Sequence, residues 1–189
     1  LHNPLTGWVL YASMGVDAAD FWAQYDHMYI PELGHNVSVT DYAHTLYIRA
    51  SWTDFNPQED VYGWKIDSNL RAYIEGAYQR NMRLAFRVVV DSRDKRTEFT
   101  PQFVKDAGAK GFMNKGKWSP YSDDPIFQKY YTKFVKALAK DFNDPSKVEF
   151  IDGFGLGKWG EYHTMIYSTG DDTPKKAVFD WVTDIYSQA

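Results

Sequence analysis

Two periodicities divide the 189 residues. Short apolar runs or alternating stretches predict strands, and apolar positions three and four apart predict helices. Trp8-Val-Leu-Tyr-Ala-Ser13, after a turn at Asn3-Pro4-Leu-Thr-Gly7, predicts a short buried strand. A short helix is predicted over residues 18–25 and a turn at Pro31-Glu-Leu-Gly34, in a long irregular excursion. His44-Thr-Leu-Tyr-Ile-Arg-Ala-Ser-Trp52 alternates as a second strand. Ile66, Leu70, Tyr73, Ile74 and Ala77 mark one face of a helix over residues 64–80, which Asn81 ends. Met82-Arg-Leu-Ala-Phe-Arg-Val-Val-Val-Asp91 is a third strand, apolar enough to need cover on both faces as in a parallel sheet. A polar loop, a short helical segment after Pro101 and a loop rich in Gly and Lys lead to Trp118. Asp124-Pro125 supplies a cap and a first-turn proline for a helix to about residue 142. A fourth strand starts near Val148, and a last amphipathic helix near Thr173.

Strands alternating with helices predict an α/β fold with a parallel sheet and right-handed crossovers. The whole reads as a single domain over residues 1–189. An eightfold barrel takes ~250 residues, so four strand units amount to about half of one. The expected fold is therefore the N-terminal part of a TIM (β/α)8 barrel, with strands 1–4 and their helices. A complete small doubly wound domain is the weaker alternative, because four strands leave open sheet edges.

Composition narrows the function classes. A net charge of −4, from 21 basic and 25 acidic residues, gives no electrostatic reason to expect nucleic acid. The lysines at 105, 110, 115 and 117 are interleaved with glycines and read as a solvated loop. Without cysteine there is no disulfide and no thiolate metal site. No apolar run reaches the length of a membrane span. Leu1 in place of an initiator methionine points to a processed or truncated product, with any export signal upstream. With 7 Trp, 14 Tyr and 12 Phe, the chain is richer in aromatic residues than core filling usually requires; stacking on sugar rings would use them, with core packing and Tyr-rich rims as the default explanation.

The candidate chemistry centres on Val148-Glu-Phe-Ile-Asp-Gly-Phe-Gly-Leu-Gly-Lys-Trp-Gly-Glu-Tyr-His163, where an apolar strand meets glycines and then delivers Trp159, Glu161 and His163. In barrels, chemistry sits at the C-terminal ends of strands. Four pieces of the chain carry a family resemblance: Asn3-Pro4…Gly7-Trp8, Tyr47-Ile-Arg-Ala-Ser-Trp52…Asn56-Pro57-Gln-Glu-Asp-Val-Tyr-Gly-Trp64, Arg83-Leu-Ala-Phe-Arg87 and Ile151-Asp-Gly…Gly157-Lys-Trp-Gly-Glu-Tyr-His163. Together they resemble a family of glycoside-hydrolase-like barrels, related to the clan whose acid/base glutamate follows the fourth strand. They depart from it in having Trp159-Gly160, not asparagine, before the glutamate.

The resemblance implies that Glu161 is the general acid/base of glycosidic bond cleavage. The second carboxylate such chemistry needs would come from a later strand, beyond this chain. It also implies a carbohydrate substrate, a periplasmic or extracellular setting, and a partner that completes the barrel, either the missing C-terminal half or a second copy. Arg49, Trp52, Asp91, Trp159 and His163 are the candidate substrate contacts, and Trp118 is a further possible sugar platform, with core packing or ion pairing as the competing role of each. Asp152 is expected to pair with a buried arginine, Arg49 or Arg87. No cofactor is expected. A metal site has poor support, because Glu161 and His163 are two apart and His35 and His44 lack helical ligand spacing. Gly153-Phe-Gly155-Leu-Gly157 lacks both dinucleotide and P-loop spacing, and no Gly-x-Ser-x-Gly occurs. The alternative from a different class is a sugar-binding or structural barrel that keeps the fold without catalysis.

Overall fold

The computed structural model describes residues 7–12, 14–93 and 97–189. The chain begins with β1 (Trp8–Tyr11), α1 (Ala18–Asp26), β2 (Met28–Ile30), β3 (His35–Val37) and β4 (Ala43–Ser51). Then follow α2 (Trp52–Phe55), α3 (Gly63–Ile66), α4 (Ser68–Gln79), β5 (Arg83–Val89) and α5 (Gln102–Asp106). β6 (Gly111–Asn114), β7 (Lys117–Pro120), α6 (Pro125–Phe142), β8 (Val148–Ile151) and α7 (Lys175–Ser187) complete it. These elements form two compact units, one from the described residues within 1–49, 64–86 and 144–151, the other from 50–63, 87–143 and 152–189.

The first unit carries the parallel sheet, whose strand order is β1-β4-β5-β8. Leu10 pairs with Leu46 and Tyr11 with Tyr47, while Ala85 pairs with Phe150. Neighbours in the sheet follow chain order without reversal, so the sheet lacks the switch point of a doubly wound fold. It has the order of the first four units of a (β/α)8 barrel, as the alternation of elements predicts. The strands are apolar because helices cover them: Leu46, Ile48, Leu84 and Phe86 have no exposed surface. Helices α1 and α4 pack closely because Gly76 leaves room, since a Cβ there would stand 2.1 Å from Trp22 Nε1. Trp22 Nε1 donates to Ala72 O (3.2 Å), and Arg80 lies over the Trp22 ring while pairing with Asp26.

Two expectations are corrected in this unit, and a third, the turn at residues 31–34, is met and extended. β1 is not a buried strand: Leu10 is buried, but Trp8 is 77% exposed, and Val9 and Tyr11 are exposed too, as suits an edge strand lacking cover on one face. The helix expected over 64–80 is two helices, because Asp67 stops α3 and caps α4, its carboxylate accepting from Leu70 N (2.7 Å). The Pro31–Gly34 turn proves to be the tip of an antiparallel hairpin, β2–β3, which sequence periodicity did not register in strands of three residues. The Asn3–Gly7 turn lies mostly outside the described residues.

The second unit is organised by one tryptophan. Ser51 and Asp54 form a capping box that turns the chain from β4 into α2 and fixes Trp52 at the first helical position. The Trp52 ring meets Tyr131 (5.2 Å), Phe134 (5.8 Å), Phe127 (6.0 Å) and Phe103 (6.3 Å). Asp124 caps α6 by accepting from Ile126 N and Phe127 N, with Pro125 in the first turn, as expected. α7 closes on α6 through Trp181 Nε1 to Thr132 Oγ1 (3.0 Å) and a 2.9 Å bond between the Tyr131 and Tyr186 hydroxyls. Residues 111–120, read as loop, form the antiparallel hairpin β6–β7.

Candidate active site

β8 ends at Ile151, so Glu161 does not follow a strand directly, as the apolar run had suggested. The glycines end the strand early, and residues 152–167 form an irregular loop closed by an isolated bridge between Lys158 and His163. Within it Gly160 N donates to Gly157 O, Glu161 N to Lys158 O and Tyr162 N to Leu156 O. Gly155 is obligatory: its φ is +76°, and a Cβ would stand 2.1 Å from Val88 O and 2.7 Å from the Tyr131 hydroxyl. Trp159, Tyr162 and Thr164 also have positive φ (61°, 57° and 47°), three of six such non-glycine residues among the described ones. Backbone strain clusters at functional sites, so this concentration around Glu161 marks the loop out.

The β5 strand and its continuation hold the loop at successive points. Arg87 Nη1 donates to Glu161 Oε1 (3.0 Å) and Nη2 to Asp152 Oδ2 (2.5 Å). One guanidinium therefore bridges two carboxylates, and the pairing of Asp152 with a strand arginine is as the sequence led us to expect. Val90 N donates to Gly155 O (3.0 Å). Arg93 Nη2 donates to Thr164 O (2.7 Å), while its Nε and backbone N–H both bond the Asp91 carboxylate at 2.8 Å. Farther along the loop, burial raises the Tyr162 phenol above its ordinary pKa, and its hydroxyl donates to Lys175 O at 3.1 Å.

The six candidate residues fare differently. The Glu161 side chain is 43% exposed, so its carboxylate is both held and reachable. Trp159 is 39% exposed, with the Lys158 ammonium 4.6 Å from its ring centre and the His163 ring at 5.2 Å. Trp159, Glu161 and His163 thus sit on one loop beside Arg87. Trp52 is not a sugar platform: it is wholly buried, its ring surrounded by the aromatic core. Trp118 is buried too. Asp91 is buried, hydrogen-bonded by Arg93 and by Ser119 Oγ (3.3 Å), and lines a small cavity with Gly157 and Met165. Arg49 is half-buried on β4. Sequence reading did not single out Arg93; its position two residues after a strand-end aspartate was the available signal.

No protein-family model matches the sequence, and no curated protein matches it. Solved structures do. Xylanase B from Clostridium stercorarium F9 is 13% identical, with a TM-score of 0.49, over 96% of this chain and 48% of that one. Xylanase 10B from Thermotoga petrophila RKU-1, solved with xylobiose, is 12% identical, with a TM-score of 0.46, over 97% of this chain and 47% of that one. The chain spans about half the length of the solved structures it matches. No group of three or more His, Asp or Glu able to hold a metal ion occurs among the described residues, and none of the described helices is long and apolar enough to cross a membrane.

Proposed function

We propose that the chain is the N-terminal part of an enzyme that hydrolyses glycosidic bonds, with Glu161 as its general acid/base. The observation that carries this reading is the placement of Glu161: a partly exposed carboxylate on a strained loop, fixed through one oxygen by Arg87 and flanked by the exposed ring of Trp159. Cleavage needs one carboxylic acid to protonate the leaving oxygen and a second carboxylate working from the other face of the sugar. Asp152 is committed to Arg87 beside Glu161, which suits a structural counter-charge. The second carboxylate is therefore assigned to a segment outside this chain, on a partner that completes the barrel. That partner is the C-terminal part of the barrel or, failing it, a second copy of the chain. Trp159 is the sugar platform, and His163 is a polar contact to the substrate. A carbohydrate polymer does not cross a membrane, so such a site would work in the periplasm or outside the cell.

A second reading, a sugar-binding barrel without turnover, is favoured by the Arg87–Glu161 ion pair, which suits a fixed acceptor for a sugar hydroxyl. Assaying the full-length chain on aryl glycosides, with and without Glu161→Gln, separates the two. The first reading expects a loss of about 10²–10⁴-fold in turnover with saccharide binding retained. Full activity in the variant removes Glu161 from the mechanism, and binding without turnover in the unaltered protein establishes the second reading.

A further inference from the structure

We infer that Arg93 is a positioning residue for Glu161, acting through the backbone of the loop; this rests on the reading of Glu161 as the acid/base. Arg93 is nearly buried, its side chain 11% exposed, against an Asp91 side chain that is 8% exposed. Its donors are divided. Nε and the backbone N–H fix the Asp91 carboxylate, which Ser119 Oγ on β7 also approaches at 3.3 Å. Ser119 Oγ in turn accepts from Ser92 N (2.8 Å), so the carboxylate is anchored to the hairpin and to the chain leaving β5. Nη2 lies 2.5 Å from Asp91 Oδ2 and also donates to Thr164 O (2.7 Å), so one nitrogen joins the anchored carboxylate to the loop. Thr164 stands three positions after Glu161, at a φ of +47° that a threonine does not adopt without external support.

The geometry assigns the anchor a specific task. The N-terminal side of the loop is tied by Val90 N to Gly155 O, and the C-terminal side by Arg93 to Thr164 O. Glu161 lies between these ties, and its own side chain meets Arg87. Without the Thr164 tie, the strained 159–164 backbone is free to relax, and the carboxylate moves relative to Trp159 and any bound sugar. Lysine cannot reproduce this, because it lacks the Nε–H that holds the guanidinium plane on Asp91 while Nη2 reaches Thr164 O.

Amide hydrogen exchange on the full-length chain tests this without relying on turnover. In Arg93→Lys, which keeps a cation beside Asp91, we expect the amides of Lys158, Gly160, Glu161 and Tyr162 to exchange about tenfold faster or more while those of α6 keep their rates. Arg93→Gln should show the same pattern more strongly. In turnover on aryl glycosides, kcat should fall by about 100-fold with KM little changed, since misplacing a catalytic group by about 1 Å costs that much. Loop amides exchanging at the unaltered rate would overturn the proposal. So would equal acceleration of loop and α6 in both variants, which marks Arg93 as a general stabiliser. Absence of turnover in the unaltered protein counts against the glycosidase reading alone, and the exchange pattern still decides whether Arg93 holds the loop.

Discussion

Arg87 and Glu161, 74 positions apart in sequence, are joined by a 3.0 Å hydrogen bond from Nη1 to Oε1, and the same guanidinium holds Asp152 through Nη2. Two acidic side chains are thereby brought together against their mutual repulsion. Replacing Arg87 with methionine keeps much of the side-chain volume and leaves that repulsion uncompensated. The Asp152 and Glu161 side chains are 33% and 43% exposed, which places the cost between a surface pair and a buried one, about 1–2 kcal/mol. A lowered urea midpoint checks this. Salt should restore part of the loss, because added ions screen the two carboxylates from each other.

Much of this frame was legible in the sequence, and the exceptions have physical causes. Asp124-Pro125 announced α6 because capping and proline preferences act locally, and the near-continuous apolar run at 84–90 announced a strand covered on both faces. The hairpins β2–β3 and β6–β7 escaped because strands of three or four residues carry too few alternations to stand out. Trp52 looked like a sugar platform because a strand-end tryptophan is compatible with either role, and only the three-dimensional company of Phe103, Phe127, Tyr131 and Phe134 decides it. The Arg93–Thr164 tie spans 71 positions and uses a main-chain oxygen, so no residue type at 164 could have signalled it.

Trp52 and Trp159 should therefore respond oppositely to truncation. Trp52→Ala empties a fully buried site and should cost about 3–5 kcal/mol of stability. Trp159→Ala removes an exposed ring, should leave the denaturation midpoint nearly unchanged and should weaken saccharide binding by about 1 kcal/mol or more. Calorimetric titration with oligosaccharides, beside denaturation of both variants, checks the contrast. The Lys158 ammonium above the Trp159 ring competes with a sugar for that surface, so Lys158→Ala should bind saccharide more tightly than the unaltered protein if the ring is the platform.

Gly155→Ala probes the root of the loop. Its Cβ would stand 2.1 Å from Val88 O, in a backbone conformation that alanine disfavours, so the loop must shift or the strand end must give way. A loss of about 3 kcal/mol is expected, at the upper end of overpacking costs. Because Val90 N to Gly155 O is one tie of the loop, the variant should also disturb the amides of residues 156–163 beyond any change in α6, as seen by hydrogen exchange.

High pH gives a test of the second unit's core. Burial pushes the Tyr131 phenol well above its usual value of 10.0 and the Tyr186 phenol up to about 12. Below pH 10 both tyrosines are neutral in the folded and the unfolded chain, and their contribution to stability is fully present. As pH rises from 10 toward 12 the unfolded chain loses these protons while the folded chain keeps them, so stability falls by about 1.4 kcal/mol per pH unit for each tyrosine. Tyr131→Phe removes one of the two phenols and should make this alkaline decline shallower. At neutral pH the same substitution leaves Phe154 O without its 3.0 Å donor and breaks the 2.9 Å bond to Tyr186, costing about 1 kcal/mol or more. The stability curves of the two proteins, followed by urea denaturation from pH 7 to pH 11.5, should therefore converge in the alkaline range; parallel curves would mean that Tyr131 does not titrate with unfolding.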